Sequence, residues 1–401
     1  MRVPRGVTRR LKILGGTLLA LVLVKALWFF TFRTDGARLL AGEERTDLMA
    51  RRAYLVHRLL QEKTDAQGMK TPGGIFSGEW FVGSLSMTAA ACTNLAFLYP
   101  DTRAQAVAEI DQLVVRALEP AAREFDKGMW RGEDALDSLA GPNGHIGYLG
   151  HVALMLDERR LLAGPGAADP HGELGGRIVE ALARRMAASP SSHLETYPDE
   201  VYAMDNAVVA AAIALHDLGT GEDHRAVLDR WIGTTRAGLL DPETGLVSFS
   251  LGKDGRPNQR SRGSGVCWNS FFLPFVDQAF AAGQFDRIRE HLVDRPLGIV
   301  GAREVRRGSS FVGDVDSGPV LLGLSPSGTG FCLAGARHAG DARLLGELLD
   351  TAELAGFTWQ WNGERRYLLA PFVGDAIVLA MKTAVLWDRR FLSVPVPARP
   401  D

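Results

Sequence analysis

Glu195-Thr196-Tyr197-Pro198-Asp199-Glu200-Val201-Tyr202-Ala203-Met204-Asp205-Asn206 runs from a polar, proline-bearing loop into a helix that otherwise reads as alanine and valine. The same transition recurs at Phe76-Ser77-Gly78-Glu79-Trp80, Gly141-Pro142-Asn143-Gly144-His145, Gly263-Ser264-Gly265, Ser325-Pro326-Ser327-Gly328-Thr329-Gly330 and Ala370-Pro371-Phe372-Val373-Gly374-Asp375. Helical periodicity fills the chain between these points. It predicts about twelve helices, at 43–63, 80–98, 103–118, 145–162, 172–188, 202–218, 222–237, 265–282, 284–293, 325–339, 341–355 and 372–386. Strand patterning is confined to a hairpin expected at 245–250, followed by the turn Gly252-Lys253-Asp254-Gly255. The Gly/Pro-rich loops precede every second helix, whereas the others begin at plain acidic starts such as Asp101, Glu222-Asp223 and Asp341. Alternating pairs of this kind are what an (α/α)6 toroid requires, with six inner helices opening their N-termini on a common pocket. A helical-repeat solenoid is the competing architecture, but it needs a constant repeat length that this chain lacks. No Pro- or Ser-rich linker interrupts residues 34–395, which are expected to form one all-α domain.

Upstream of that domain the composition changes. Of 45 basic residues, seven (Arg2, Arg5, Arg9, Arg10, Lys12, Lys25 and Arg33) fall in residues 1–33, which hold no acidic residue. The remainder therefore carries 38 basic against 47 acidic residues, so the net charge of −2 averages a basic start and an acidic body. An acidic body argues against a nucleic-acid partner. Ile13 to Phe32 supplies 20 residues with Lys25 as the sole charge, about the length that spans a bilayer core. Basic residues before it place the N-terminus in the cytoplasm. Trp28, Phe29, Phe30 and Phe32 form an aromatic belt at its far end, towards which Lys25 can snorkel. A cleaved signal peptide is the rival reading. The apolar run is long for one, and no small-x-small site precedes Arg33. Residues 1–33 are thus expected to be a cytoplasmic flank and a single transmembrane signal-anchor in the inner membrane, with the domain on the periplasmic side. Cys92, Cys267 and Cys332 are too scattered for a disulfide framework or a metal knuckle.

Chemistry-bearing residues gather at the starts of the helices expected to be inner. Asp205 and Asn206 enter an apolar helix, where an unpaired carboxylate is costly and its pKa rises into the range of a general acid. Asp199 and Glu200 are expected to be helix caps. Gly144-His145-Ile146-Gly147-Tyr148-Leu149-Gly150-His151 brings two histidines, six residues apart, with His151 one turn beyond Tyr148. Imidazole is the usual proton shuttle near neutrality, although a buried, satisfied histidine is the plainer alternative. No HExxH or ligand-spaced carboxylate points to zinc. Gly313-Asp314-Val315-Asp316-Ser317 sets two aspartates on the same side of an extended stretch, suited to acid/base work or hydroxyl binding. Glu79 with Trp80, Trp268 with Asn269, and Trp359 with Trp361 supply aromatic walls for a sugar or a terpene. No Walker loop or dinucleotide fingerprint appears, so no cofactor is expected.

These motifs, in this order, resemble those of the linalool dehydratase/isomerase domain family over about Trp130 to Trp387. The carrying pieces are Tyr148-Leu149-Gly150-His151-Val152-Ala153-Leu154-Met155, Pro198-Asp199 with Asn206, Leu239-Leu240-Asp241-Pro242-Glu243-Thr244-Gly245 with one residue's slack at its start, and Ala336-Arg337-His338-Ala339-Gly340-Asp341. The resemblance implies a toroid and cofactor-free acid/base handling of an allylic alcohol, with His151 moving protons and Tyr148 holding the hydroxyl. The family also carries two cysteines around the Pro-Asp segment; the matching positions here hold Thr196 and Asp205. Glu79 is the candidate for the family's early catalytic aspartate.

The leading expectation is a membrane-anchored, extracytoplasmic lyase or isomerase acting on a small, isoprenoid-like alcohol. Its catalytic residues would be Asp205, His151, Tyr148, Asp316 and Glu79, with His145, Tyr202, Asn206, Trp268, Asp314 and Trp80 binding substrate. A carbohydrate-active toroid with paired carboxylates and a non-catalytic envelope scaffold are the alternatives. A homo-oligomer is compatible with each of these readings.

Overall fold

The computed structural model describes residues 15–17, 19–20, 22–24, 26–27, 33–69, 71, 74–252, 254–394 and 396, with the side chains of 74 and 75 excepted. The protein is mostly helical, with strands of only two to four residues. Among the described residues, twelve helices of eleven or more residues carry the fold: α1 (Arg45–Val56), α2 (Gly74–Leu98), α3 (Arg103–Leu118), α4 (Ile146–Ala163), α5 (Gly172–Ala188), α6 (Ala203–Thr220), α7 (Arg225–Gly238), α8 (Gly263–Val276), α9 (Gln278–His291), α10 (Pro326–His338), α11 (Ala342–Gly356) and α12 (Phe372–Lys382). The even-numbered helices pack in chain order, α2 on α4, α4 on α6, α6 on α8, α8 on α10 and α10 on α12, and α12 returns to α2. Odd-numbered helices pack outside them, α3 on α2 and α4, α5 on α4 and α6, and α9 on α8 and α10.

Composition explains this division. The even-numbered helices have neighbours on nearly every side, so Ala207 to Ile213 of α6 and Met87 to Ala91 of α2 are buried without interruption. Small side chains there let adjacent helix axes approach. The odd-numbered helices bury one stripe; in α5 it is Ile178, Val179, Ala181, Leu182, Arg185 and Met186. By length and composition α2 could cross a membrane over Phe76–Leu98, but it is buried within the domain as a core helix. Two glycines let the loops into the even-numbered helices cross. A Cβ on Gly144 would lie 2.0 Å from the Glu195 carbonyl oxygen, and one on Gly263 equally close to that of Arg303.

The sequence misplaces several elements. Helix α8 ends at Val276, where Asp277 turns extended and caps α9 by accepting from the Phe280 N–H. A further helix, Pro120–Met129, follows α3 with Pro120 at its first turn. The hairpin expected at 245–250 is absent. Instead β1 (Val201–Tyr202), β2 (Ser250–Leu251) and β3 (Pro257–Gln259) form a small antiparallel sheet, and a bridge joins Leu240 to Val247. An unforeseen hairpin, Thr358–Trp361 paired with Glu364–Tyr367, leads towards α12. Of the expected anchor, Arg2, Arg5, Arg9, Arg10, Lys12, Lys25, Trp28, Phe29, Phe30 and Phe32 lie outside the described residues. Those described between 15 and 27 are helical, and Leu19, Val22, Leu23, Val24 and Leu27 are exposed. All three cysteines are buried free thiols.

Candidate active site

The N-terminal ends of α2, α6 and α8 and the loop leading into α10 meet at one end of the helical domain. There the Tyr197 hydroxyl donates to Glu79 Oε2 at 2.9 Å, and the Thr196 hydroxyl donates to Asp205 Oδ2 at 2.7 Å. Tyr197 and Thr196 reach these carboxyls because Asn206 staples their loop to α6. Its Oδ1 accepts from the Leu194 N–H, and its Nδ2 donates to the Leu194 and Tyr202 carbonyls. Every polar atom of Asn206 is thereby used, so it positions the site and is not free to bind substrate.

The carboxyls titrate unusually. Burial pushes Glu79 up to about 8, Asp205 and Asp316 add to the rise, and the Tyr197 hydrogen bond opposes it. Burial likewise raises Asp205 to about 6; Thr196 opposes this, and Asp316 adds to it. Asp316 rises to about 6 through burial and its neighbour Asp314, with Arg262 pulling the other way. None of the three is sealed; Asp316 keeps 35% of its side chain accessible. At neutral pH Glu79 is protonated. Tyr197 already donates to Oε2, which leaves the acid proton for Oε1. Access separates this group from Glu158 in α4, a wholly buried carboxyl raised well above its usual value, with both oxygens unpartnered, that no substrate can reach.

Arg262, at the start of α8, explains why the two aspartates of the 313–319 turn differ. Its guanidinium lies between the rings of Phe249 and Phe311, at 4.1 and 4.7 Å from their centroids. It pairs at 2.7 Å with the buried Glu304 and at 2.8 Å with Asp314, but stands 3.8 Å from Asp316. Burial would raise Asp314, but Arg262 and the Ser317 N–H hold it below its usual value, and it also accepts from the Asp316 N–H. Asp314 is therefore a turn-former, and the expectation that it binds substrate is corrected. Asp316, poorly compensated, faces the other carboxyls.

His151 lies one helical turn beyond Gly147, whose Cα faces Thr196 and the Tyr197 ring, so it points to the same side, further in. Its Nδ1 is 3.0 Å from the Ser86 hydroxyl, and Ser86 sits two turns beyond Glu79 on the same face of α2. Burial lowers His151 to about 4, which leaves it neutral at physiological pH. Trp268 packs edge-on against His151 and Phe331, at 6.2 and 5.3 Å between centroids. Its Nε1 and the Oδ1 of adjacent Asn269 are buried without partners. Tyr202 sits at the rim, where its hydroxyl donates to Glu200 at 2.9 Å and its ring edge meets Phe249. Glu200 and Asp199 precede the helix start at Ala203 and do not cap it.

Two further expectations are corrected. Tyr148 turns away from the carboxyls: fully buried, it donates to the Ala117 carbonyl of α3 at 2.9 Å. His145 is also sealed, with Nδ1 2.6 Å from Asp126 Oδ2 and its ring stacked on Trp130, tying the 120–129 helix to the start of α4. Trp80 is half-buried and packs on the hydrophobic core. The structure thus brings Glu79, Asp205, Asp316 and Tyr202 together with Tyr197, Thr196, Arg262 and Glu304, and it groups His151 with Ser86 and Trp268 further along the helices. Arg262 and Glu304 lie 42 residues apart, and no local pattern links them. Among the described residues, no group of three His, Cys, Asp or Glu side chains is arranged to hold a metal ion. No protein-family model matches this chain, and no curated protein matches it.

Proposed function

We propose that the protein is a cofactor-free acid/base lyase or isomerase acting on a small alcohol, built on an (α/α)6 toroid of the linalool dehydratase/isomerase type. The observation that carries this reading is the split between neighbouring carboxyls, Glu79 raised to about 8 and Asp205 to about 6. Such a split assigns acid and base. Glu79 gives its Oε1 proton to the substrate hydroxyl as the C–O bond breaks and water leaves. Asp205 takes a proton from the neighbouring carbon, and its electron pair becomes the new double bond. Water returns the protons to their starting positions. Neutral His151, Trp268 and Phe331 give an aromatic floor for a hydrocarbon chain, and the unpartnered Trp268 Nε1 and Asn269 Oδ1 are available to a polar atom. The closed packing order of the even-numbered helices supports the toroid. Positions 196 and 205, where the resembling family keeps its cysteines, are in direct contact here, which supports their sharing a reaction centre. The apolar run before Arg33 supports a single membrane anchor with the domain outside the cytoplasm.

The third carboxyl, Asp316, favours a second reading as a glycosidase, in which Glu79 protonates a glycosidic oxygen and Asp205 or Asp316 serves as partner. One experiment tests both. The full-length protein is incubated with allylic isoprenoid alcohols and, separately, with aryl glycosides, while alkene formation and aglycone release are followed. Alkene or isomer formation with a bell-shaped pH profile, bounded near 6 by Asp205 and near 8 by Glu79, is the expected result. Glu79→Gln and Asp205→Asn should each lower the rate about 10²- to 10⁴-fold. Turnover that both substitutions leave unchanged would overturn the assignment; aglycone release alone would transfer it to the glycosidase.

A further inference from the structure

Exposed large hydrophobic side chains are unevenly distributed. Of the twelve among the described residues after Arg33, eight lie in two segments, 312–322 and 357–369. Val312 is 91% exposed, Leu369 72% and Trp361 67%. Trp359 and Trp361, two residues apart on one strand, project from the same face of the hairpin that precedes α12. The other segment, with Leu321 and Leu322, carries Asp316 at its turn. Both segments lead into even-numbered helices, so both stand at the end of the domain where the carboxyls meet. His57 Nδ1 lies 2.6 Å from Glu364, which ties the hairpin to the segment that leads from α1 into α2.

The path of the chain at Arg33 points to what covers this face. The Thr34 N–H donates to Asp350 at 2.7 Å and Arg33 pairs with the same carboxylate at 3.2 Å, whereas Gly36 lies against Ala342 and Gly346. Followed backward, residues 36 to 33 therefore climb α11 towards its C-terminus. Asp350 is six residues, about 9 Å, short of the end of α11, where the hairpin begins. The apolar run thus joins the domain near the end that bears the exposed tryptophans and leucines.

We propose that this face lies against the bilayer surface, with Trp359, Trp361, Leu321, Leu322 and Leu369 dipping into the headgroup region so that the carboxyl site opens towards the membrane. This rests on the membrane-anchor reading above. Tryptophan favours the interface, where its ring is apolar and its N–H stays wet. Shallow immersion, about 5–10 Å, is the usual depth of such surfaces. The body is net acidic, so the contact is held by apolar burial and not by attraction to anionic lipid. A lipophilic alcohol dissolved in the bilayer would then reach Glu79 and Asp205 without crossing water.

The test uses the full-length protein reconstituted in phosphatidylcholine vesicles, with and without brominated acyl chains, alongside W359F/W361F. The substitutions are at exposed sites, and far-UV circular dichroism checks that the fold is kept. Flotation with the vesicles reports the anchor. Bromolipid quenching that falls measurably in W359F/W361F, and that 1 M salt leaves within about 20% of its low-salt value, is the expected result. Flotation with equal quenching in both proteins would leave the anchor standing and overturn the proposed face. Failure to float would overturn both. A detergent-solubilised dimer that W359F/W361F splits would also overturn it, because the face would then belong to a second copy of the chain.

Discussion

Asp47 and Asp205 are the same residue type, both enclosed by the protein, and they end in opposite electrostatic states. Burial alone would raise Asp47, but Lys382, Arg51 and Arg365 surround it and drive it far below its usual value. Glu353 pairs with Arg51 at 2.6 Å and accepts from the Tyr367 hydroxyl, completing a network that clamps α1, α11, α12 and the 358–367 hairpin together. Asp205 has a threonine hydroxyl and other carboxyls as neighbours, and it rises to about 6. What separates a brace from a reactive group is the local supply of positive charge, together with access for a substrate.

The sharpest way to break this contrast is at the brace. Asp47→Ala leaves buried Arg51 and Lys382, with half-buried Arg365 beside them, short of one anion, and breaking a buried pair in this way costs about 3–5 kcal/mol. Chemical denaturation of the variant should show a loss of this size. At the reactive cluster the sign reverses. A raised carboxyl binds its proton more tightly in the folded state, so its penalty is absent below about pH 4, grows as pH rises, and is complete above about pH 6. Asp205→Asn should therefore gain up to about 3 kcal/mol of stability at pH 8, and most of that gain should be gone at pH 4. A variant no more stable than wild type at pH 8 would show that Asp205 is not strained. The smallest effect is expected at Tyr148→Phe, where one buried hydrogen bond worth about 1 kcal/mol is lost. That substitution should leave kcat/KM unchanged, whereas a role in holding substrate would raise KM.

How legible each region was in the sequence follows from the range of its interactions. Loop-to-helix transitions such as 195–206 are local, and they place the starts of α4, α6, α8, α10 and α12 within two residues, whereas α2 begins at Gly74, so the expected loop at 76–80 is helical and Glu79 lies in its second turn. Asp205 stood out because a charge beside alanine and valine breaks the pattern. Tyr148 departs from the sequence expectation for a geometric reason: adjacent helix positions are about 100° apart, so Gly147 lies against Thr196 and Tyr197 while Tyr148 faces α3. The Asp314/Asp316 pair looked equivalent, and only Arg262, arriving from α8, makes one a turn-former and the other reactive. The helix at 120–129 lies outside the predicted set; Pro120 occupies its first turn, where proline's fixed φ suits a helix start.

Return of α12 to α2 has a consequence for how the chain reaches this state. Asn94 in α2 donates to the Ala380 carbonyl and to Thr383, and it accepts from the Trp387 indole, across 286 to 293 residues of sequence. Contacts of that separation carry a large closure entropy and slow folding. During synthesis α2 emerges early and waits, its flank uncovered, until the last helix leaves the ribosome. The C-terminal segment from Phe372 to Trp387 is therefore the fastener of the whole domain. A chain that stops short of it loses the partner of its first core helix, not merely a tail.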